Sequence, residues 1–273
     1  MKAEAIYIHV PFCTQKCRYC DFTSFGGSSR GLMERYVEAL CTEIALVDEQ
    51  LDAGPRTIFI GGGTPSVLPA DLLERLLRAV QRWVTPRLAE YTVEANPGTL
   101  DEEKLALLRR FGVNRLSMGV QSADDGELAL LGRTHTFAEA MQGLALARAA
   151  GFDNINLDLI YGLPGQTLAA WEKTLRQVLS QRVEHLSLYQ LKIEEGTVLA
   201  QWLREGRITE FDDEAAWEMY QLAHGQLAAR GYQQYEISNY ARPVHASLHN
   251  QAYWRTDDYI CLLYTSFCFC WRC

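Results

Sequence analysis

The feature that most constrains the fold is a regular alternation of short apolar runs with longer amphipathic stretches. Runs rich in β-branched and aromatic residues predict six strands, at 5–10, 57–60, 91–94, 115–120, 154–161 and 185–190. Apolar residues at helical spacing predict five intervening helices, at 31–51, 69–83, 99–112, 137–150 and 167–180. A capping box of Thr99 and Glu102 is expected to open the third helix. Six βα-type repeats within about 190 residues predict a parallel sheet wrapped by helices.

An open doubly wound sheet and a curved partial barrel share this pattern, and periodicity does not separate them. Both place the functional site at the carboxyl ends of the parallel strands. The polar and glycine-rich motifs occupy that position, in chain order: three cysteines after the first strand, Gly61–Gly63 after the second, Glu94 at the third, Gln121 after the fourth and Asp158 within the fifth. The sequence therefore predicts one site at this edge of the sheet.

Composition narrows the function classes. The chain has 26 Lys and Arg against 34 Asp and Glu, a net charge of −8, which argues against a nucleic-acid partner. The sequence contains no run of 18 or more apolar residues, so no transmembrane segment is predicted. Peripheral contact with a membrane is compatible with the sequence. The first residues include an acid and lead straight into a strand, so neither a signal nor a transit peptide is expected. The predicted location is the cytoplasm, where disulfides are rare.

Three of the eight cysteines form a CxxxCxxC motif at Cys13, Cys17 and Cys20. In a reducing compartment such spacing indicates metal or cluster ligands. Three thiolates on one loop can hold three corners of a [4Fe–4S] cluster, which leaves one iron open to a small molecule. The alternative is a structural zinc site with Cys41 or His9 as fourth ligand, although Cys41 is better explained as a core residue of its helix.

The segment Tyr7–Phe12 followed by CxxxCxxC resembles the radical SAM superfamily, and more narrowly its branch of oxygen-independent coproporphyrinogen III oxidases and heme chaperones. The resemblance covers residues 3 to about 259. It implies a partial (β/α)6 TIM-type barrel whose [4Fe–4S] cluster, on the three cysteines, binds S-adenosylmethionine (SAM) and cleaves its sulfonium by reduction. The SAM contacts that it implies are Tyr7, Tyr19, Gly62, Gly63, Thr64, Glu94, Gln121, Arg133 and Asp158.

Two features distinguish the oxidases from the heme chaperones of this branch. The oxidases carry a further Cys two residues after the third ligand, where this chain has Phe22. The chaperones carry HNxxYW, which is present here as His249, Asn250, Tyr253 and Trp254. An imidazole can ligate heme iron and flat rings can pack on the macrocycle. The resemblance thus implies a chaperone that passes heme to an unidentified acceptor protein, with His249 the best iron-ligand candidate and His245 its nearest rival.

Two other readings stay open, a porphyrinogen oxidoreductase of the oxidase type and a zinc-bound interaction module. The predicted domains are a radical SAM core at 1–195 and an extension at 196–259. The extension has a helix at 211–230, a strand at 232–240 and the HNxxYW motif, and it would begin an incomplete C-terminal α/β unit. Residues 260–273 hold four Cys and no acid. They are predicted to be an artefactual tail, the alternative being a second metal site on Cys268, Cys270 and Cys273.

Overall fold

The computed structural model describes residues 2–262, and eleven strands and nine α-helices lie within that range. The strands are β1 (Ala5–Val10), β2 (Phe12–Cys13), β3 (Phe25–Gly26), β4 (Thr57–Gly62), β5 (Glu90–Ala95), β6 (Arg115–Gln121), β7 (Ile155–Tyr161), β8 (His185–Gln190), β9 (Gln233–Gln234), β10 (Asn239–Ala241) and β11 (Tyr259–Leu262). The helices are α1 (Arg30–Asp48), α2 (Ala70–Val80), α3 (Glu102–Arg110), α4 (Asp125–Leu131), α5 (Phe137–Ala149), α6 (Leu168–Leu179), α7 (Val198–Arg204), α8 (Asp213–Ala228) and α9 (Leu248–Trp254). Short 3-10 helices span Pro65–Val67 and Gln81–Trp83.

Nine of the strands form one sheet in the order β11-β1-β4-β5-β6-β7-β8-β10-β9. The neighbours from β11 to β8 pair in parallel, whereas β10 pairs antiparallel with both β8 and β9. The six predicted strands are all present, and they are the six consecutive parallel strands at the centre of the sheet. Strands β2 and β3 form a separate parallel pair beside the cysteines.

The main hydrophobic core lies between the outer face of the sheet and the helices that cover it. Alternate residues of β1, such as Ile6 and Ile8, are fully buried there with Leu40 and Ile44 of α1. Alternation along a strand sends the intervening residues to the opposite face. The outer face is therefore apolar, and the inner face is left for the polar side chains that the motifs supply.

The inner face is curved, because side chains from β4, β5, β6, β7 and β8 line one common cavity. Helix α9 lies inside the same curve and contacts β4 and β5. The sheet stays open, since β11 and β9 are its two edges. This arrangement is the predicted partial barrel.

Several predicted details are wrong at the element level. The helix α3 is capped by Asp101, whose carboxylate accepts from the Lys104 N–H at 2.8 Å, so the capping box of Thr99 and Glu102 does not form. The Thr99 hydroxyl instead donates to the Asn96 carbonyl in the turn after β5. The single strand expected at 232–240 is the antiparallel pair β9 and β10. Helices α4 and α7 were not expected.

The predicted boundary before a foreign tail at 260–273 falls inside β11. Strand β11 pairs in parallel with β1 from Ala5 opposite Tyr259 to Ile8 opposite Leu262, and Leu262 is 1% exposed. Residues 260–262 therefore belong to the sheet. Residues 263–273, which include the three cysteines of the alternative metal site, lie outside the described residues. Among residues 2–262, no helix is long and apolar enough to cross a membrane.

Candidate cofactor-binding site

A cavity of about 560 Å³ opens at the carboxyl ends of the parallel strands and reaches into the barrel. The cysteine loop, defined here as residues 13–20, contributes four predicted residues to the lining of this cavity: Cys13, Cys17, Tyr19 and Cys20. Those that line it from β4 and the turn after it are Gly62, Gly63 and Thr64. Those contributed by β5 to β7 and the α4–α5 turn are Glu94, Gln121, Arg133 and Asp158. Asn250 on α9 lines it as well, so the structure brings twelve of the sixteen predicted site residues together.

The cysteine loop is held in place through Arg18 at its centre. The Arg18 backbone N–H donates to the Leu131 carbonyl at 2.9 Å, and its guanidinium donates to the Ala129 carbonyl at 2.7 Å. The Leu199 N–H donates to the Arg18 carbonyl at 3.0 Å, and the guanidinium lies 4.8 Å from the Trp202 ring centroid. The loop is thus fixed between α4 and α7, the two helices that sequence analysis missed.

Polar groups surround the three half-buried thiols. The Thr64 hydroxyl donates to Cys13 Sγ at 3.7 Å, and Arg133 Nη1 donates to Cys17 Sγ at 3.4 Å. Burial raises the pKa of the Cys13 and Cys20 thiols. A bound metal offsets that penalty, because a coordinating thiol is deprotonated outright. Donors aimed at sulfur are also groups that stabilise and tune a bound iron–sulfur cluster.

The zinc alternative finds no support in this geometry. Among residues 2–262, no three His, Cys, Asp or Glu side chains converge on a point where one metal ion could sit. Cys41 Sγ contacts the Arg75 carbonyl at 3.8 Å, and His9 Nε2 lies 2.9 Å from the Thr23 carbonyl. Three ligands of an iron–sulfur cube bind three different irons, so they need not converge.

The glycine triplet after β4 allows close packing behind the cavity. A Cβ on Gly62, whose φ is +112°, would lie 2.3 Å from the His9 ring, and one on Gly63 would lie 2.6 Å from the Phe12 carbonyl oxygen. The Gly62 N–H points to Glu94 Oε2 at 2.9 Å. These glycines therefore seat the cysteine loop and orient one carboxylate.

Two carboxylates face the cavity, Glu94 from β5 and Asp158 from β7, with β6 between them. Withdrawal from bulk water raises the pKa of Glu94 to about 7 and raises that of Asp158. Asp158 accepts from Asn156 Nδ2 at 2.8 Å and from the Ser117 hydroxyl at 3.4 Å. Arg115, which is 2% exposed and also lines the cavity, lowers both pKa values by its charge. The site is thus a polar chamber suited to a ligand with amino and hydroxyl groups.

Unpaired polar atoms indicate where such a ligand would bind. Gln121 sits at a bulge of β6 with φ +70°, and its buried Oε1 has no hydrogen-bond partner among residues 2–262. A strained backbone and an unpaired buried acceptor at one residue are typical of a ligand site. The Arg133 guanidinium donates to Asn96 Oδ1 and to the Gly119 carbonyl, both at 2.6 Å, while its Nε has no partner in the described part of the chain.

Comparison with known proteins agrees with this geometry. Residues 7–178 match the model of the radical SAM superfamily. The chain belongs to the radical SAM superfamily. Membership implies a [4Fe–4S] cluster and SAM, and the cavity fits both, with three cysteines on one loop and unpaired polar atoms beside them.

Within this superfamily the chain belongs to the HemW family. It is 41% identical over 259 residues to the heme chaperone HemW of Bacillus subtilis, covering 94% of this chain and 68% of that protein. It is 42% identical over 258 residues to HemW of Escherichia coli, covering 94% and 67%. The chain thus spans about two thirds of the length of these relatives.

A solved structure shows the same fold. The radical SAM enzyme coproporphyrinogen III oxidase (HemN) of Escherichia coli superposes with a TM-score of 0.80 at 27% identity. The match covers 93% of this chain and 58% of that one. The partial barrel of the radical SAM kind is thereby confirmed.

Four predicted site residues lie outside this cavity. The Tyr7 hydroxyl lies 3.1 Å from His9 Nδ1, and its ring stacks on Phe59, which does line the cavity. His249 is 1% exposed, whereas Tyr253 and Trp254, at the end of α9, are 38% and 64% exposed. The HNxxYW motif is thus buried at its start and exposed at its end, and Asn250 is the member that lines the cavity.

Asn96 and Arg115 are two of the cavity residues that sequence analysis missed. Asn96 donates to Thr64 Oγ1 at 2.7 Å and accepts from Arg133. It thereby links the two side chains that donate to the sulfur atoms of Cys13 and Cys17. Its position just after β5 was the available signal. Arg115 could have been found as an isolated cation at an inward-facing position of a predicted strand.

Proposed function

We propose that this chain is a heme chaperone of the radical SAM superfamily, which binds heme and passes it to an acceptor protein. The core at 1–195 would hold a [4Fe–4S] cluster and SAM, and the extension from residue 196 would hold heme. The HNxxYW motif on α9 carries this proposal, supported by about 40% identity to named heme chaperones.

The cavity residues have distinct roles in this proposal. Cys13, Cys17 and Cys20 bind the cluster, and Thr64 and Arg133 donate to two of the ligating sulfurs. The unpaired Gln121 oxygen and the carboxylates of Glu94 and Asp158 accept from SAM. When bound, the cluster supplies the electron for cleavage of the SAM sulfonium.

The oxidase alternative has weaker support. At the position of the additional cysteine of the oxidases, Phe22 is 66% exposed. Identity to the oxidase structure is 27%, against 41% and 42% for the two heme chaperones. A porphyrinogen oxidoreductase is the second candidate, favoured by the close superposition on the oxidase.

We place heme against the exposed C-terminal end of α9. Trp254 is 64% exposed, and Tyr253 packs edge-on against Tyr259 with ring centroids 4.8 Å apart. Burial lowers the pKa of His249 to about 3, so its ring is neutral and suited to iron ligation. Its Nε2 lies 3.0 Å from the Tyr253 hydroxyl, so ligation requires that hydroxyl to move away. Half-buried His245 is the rival ligand.

Heme titration of the reconstituted chain tests the proposal. We expect a Soret shift that saturates at about one heme per chain, altered by His249→Ala, and no conversion of coproporphyrinogen. Thiolates also ligate heme, so the titration is repeated with Cys268, Cys270 and Cys273 changed to Ser. Failure to bind heme in that variant, or formation of protoporphyrinogen, would contradict the proposal.

A further inference from the structure

Helix α9 forms the floor of the SAM cavity, and a buried carboxylate fixes its start. Glu90, which is 4% exposed, accepts from the Ser247 hydroxyl at 3.0 Å and from the backbone N–H groups of Leu248 at 2.8 Å and His249 at 3.0 Å. A negative charge at a helix N-terminus is favourable, more so in a partly buried site. The helix therefore has a fixed position beneath the cavity.

His249 is a second anchor of the same helix. Its Nδ1 is hydrogen-bonded with the Thr57 hydroxyl at 2.9 Å, and its ring packs against Phe59 with centroids 5.2 Å apart. Phe59 lines the cavity and Thr57 begins the same strand. The ring thus ties α9 to β4, just as Glu90 ties it to β5.

The next residue, Asn250, lines the cavity, and its amide orientation follows from a chain of hydrogen bonds. His185 Nδ1 lies 2.6 Å from Asn156 Oδ1, an acceptor, so Nδ1 carries the proton. His185 Nε2 is then the acceptor for the Tyr235 hydroxyl at 2.8 Å. The Tyr235 oxygen is left to accept from the Ser247 N–H at 3.3 Å, and the Asn250 amide lies close enough to act on the same oxygen as a donor.

This orientation commits the Asn250 nitrogen to Tyr235 and leaves its Oδ1 as the acceptor for a cavity ligand. SAM offers donors of that kind in its ammonium, adenine amino and ribose hydroxyl groups. We infer that Asn250, the second residue of HNxxYW, is a SAM-binding residue on the cavity floor. This inference rests on the proposal that the cavity holds SAM.

The test compares two neighbouring truncations on α9, Asn250→Ala and Gln251→Ala. The Gln251 side chain bonds Arg255 at the surface, outside the cavity. Both variants are reconstituted, and SAM affinity is measured by equilibrium dialysis beside iron content and thermal midpoint. We expect Asn250→Ala to weaken SAM binding about fivefold to tenfold, the effect of one lost hydrogen bond, with iron content unchanged. Gln251→Ala should bind SAM as the parent does.

The outcomes separate this inference from the function on which it rests. Parental SAM affinity in Asn250→Ala would overturn the assignment while leaving the SAM cavity in place. An equal loss in Gln251→Ala would also overturn it, because the effect would then come from the stability of α9. A parent chain that holds four irons but binds no SAM would overturn both the inference and the proposed cofactor.

Discussion

Glu94 carries a carboxyl group that titrates near neutral pH inside the cavity. Its pKa is raised to about 7, first by withdrawal from water and then by the charge of Asp158. Above that pH the group is ionised and attracts the positive charges of SAM, and below it the group is neutral. SAM affinity should therefore be highest above pH 7 and should fall as pH decreases from 8 to 6.

Equilibrium dialysis across that pH range measures the effect, with Glu94→Gln as the comparison. The amide cannot ionise, so SAM affinity in the variant should be weaker above pH 7 and should show a flatter pH profile. A parental profile that rises toward pH 6 would contradict the assignment of Glu94 as a SAM contact.

The cysteines provide a prediction about cluster content. Cys13→Ser, Cys17→Ser and Cys20→Ser should each lose most of the iron after anaerobic reconstitution, because the described part of the loop has no spare thiol. Cys41→Ser is the control, since Cys41 lies on α1 beside the Arg75 carbonyl. Iron and sulfide analysis checks the result. Equal loss in the Cys41 variant would show that a fourth protein ligand exists.

At the level of elements, α9 links the two proposed ligand sites. In the proposed arrangement, SAM held by Asn250 would stabilise the docked helix, in which the Tyr253 hydroxyl lies 3.0 Å from His249 Nε2. Saturating SAM should therefore weaken heme binding about fivefold, and heme should weaken SAM binding by the same factor. Paired heme titrations with and without SAM measure this coupling.

The matched control for the coupling is His249→Ala. The heme binding that remains in this variant should be insensitive to SAM, because the variant lacks the His249 imidazole, the iron ligand that Tyr253 blocks in the docked helix. Equal SAM sensitivity in the variant would place the coupling in another part of the chain. Parental heme affinity that SAM leaves unchanged would show that His249 is accessible in the docked helix.

Sequence analysis predicted the strands and helices that show a distinct apolar pattern of their own. The six central strands were found because each is a short apolar run, and β8 was predicted with its observed bounds. Helices α4 and α7 have seven residues each, too few for a helical period to stand out. The position of α9 could not be predicted, because it depends on contacts with Glu90 and Thr57, which are far away in sequence.

The residues of the candidate site, like the strands and helices, could be predicted only in part from the sequence. Residues at the strand ends could be placed because parallel strands bring their carboxyl ends to one edge. Arg115 was missed because it lies at the start of its strand, in the deep layer of the cavity. The burial of each HNxxYW residue depends on which face of α9 meets the barrel, and helical spacing does not specify that face.

For the whole molecule, the edge strand β11 provides a stability prediction. Leu262 is 1% exposed and belongs to the main core. Leu262→Ala should lower the free energy of unfolding by about 2–5 kcal/mol, the usual cost of such a cavity. Leu46→Ala, at a position that is 55% exposed, should cost below about 0.5 kcal/mol. Urea unfolding measures both, and equal stability in the two variants would show that β11 contributes little.

The bonds between Glu90 and the start of α9 also set an order of events during synthesis. They join groups that are 157 to 159 residues apart. At about 5–20 residues per second, a ribosome needs on the order of ten to thirty seconds to make the intervening chain. Throughout that interval the Glu90 carboxylate is hydrated and the barrel has no floor. The nascent chain therefore makes its cysteine loop early, gains the contacts of α4 and α7 that fix this loop later, and closes the chamber only when α9 has been made.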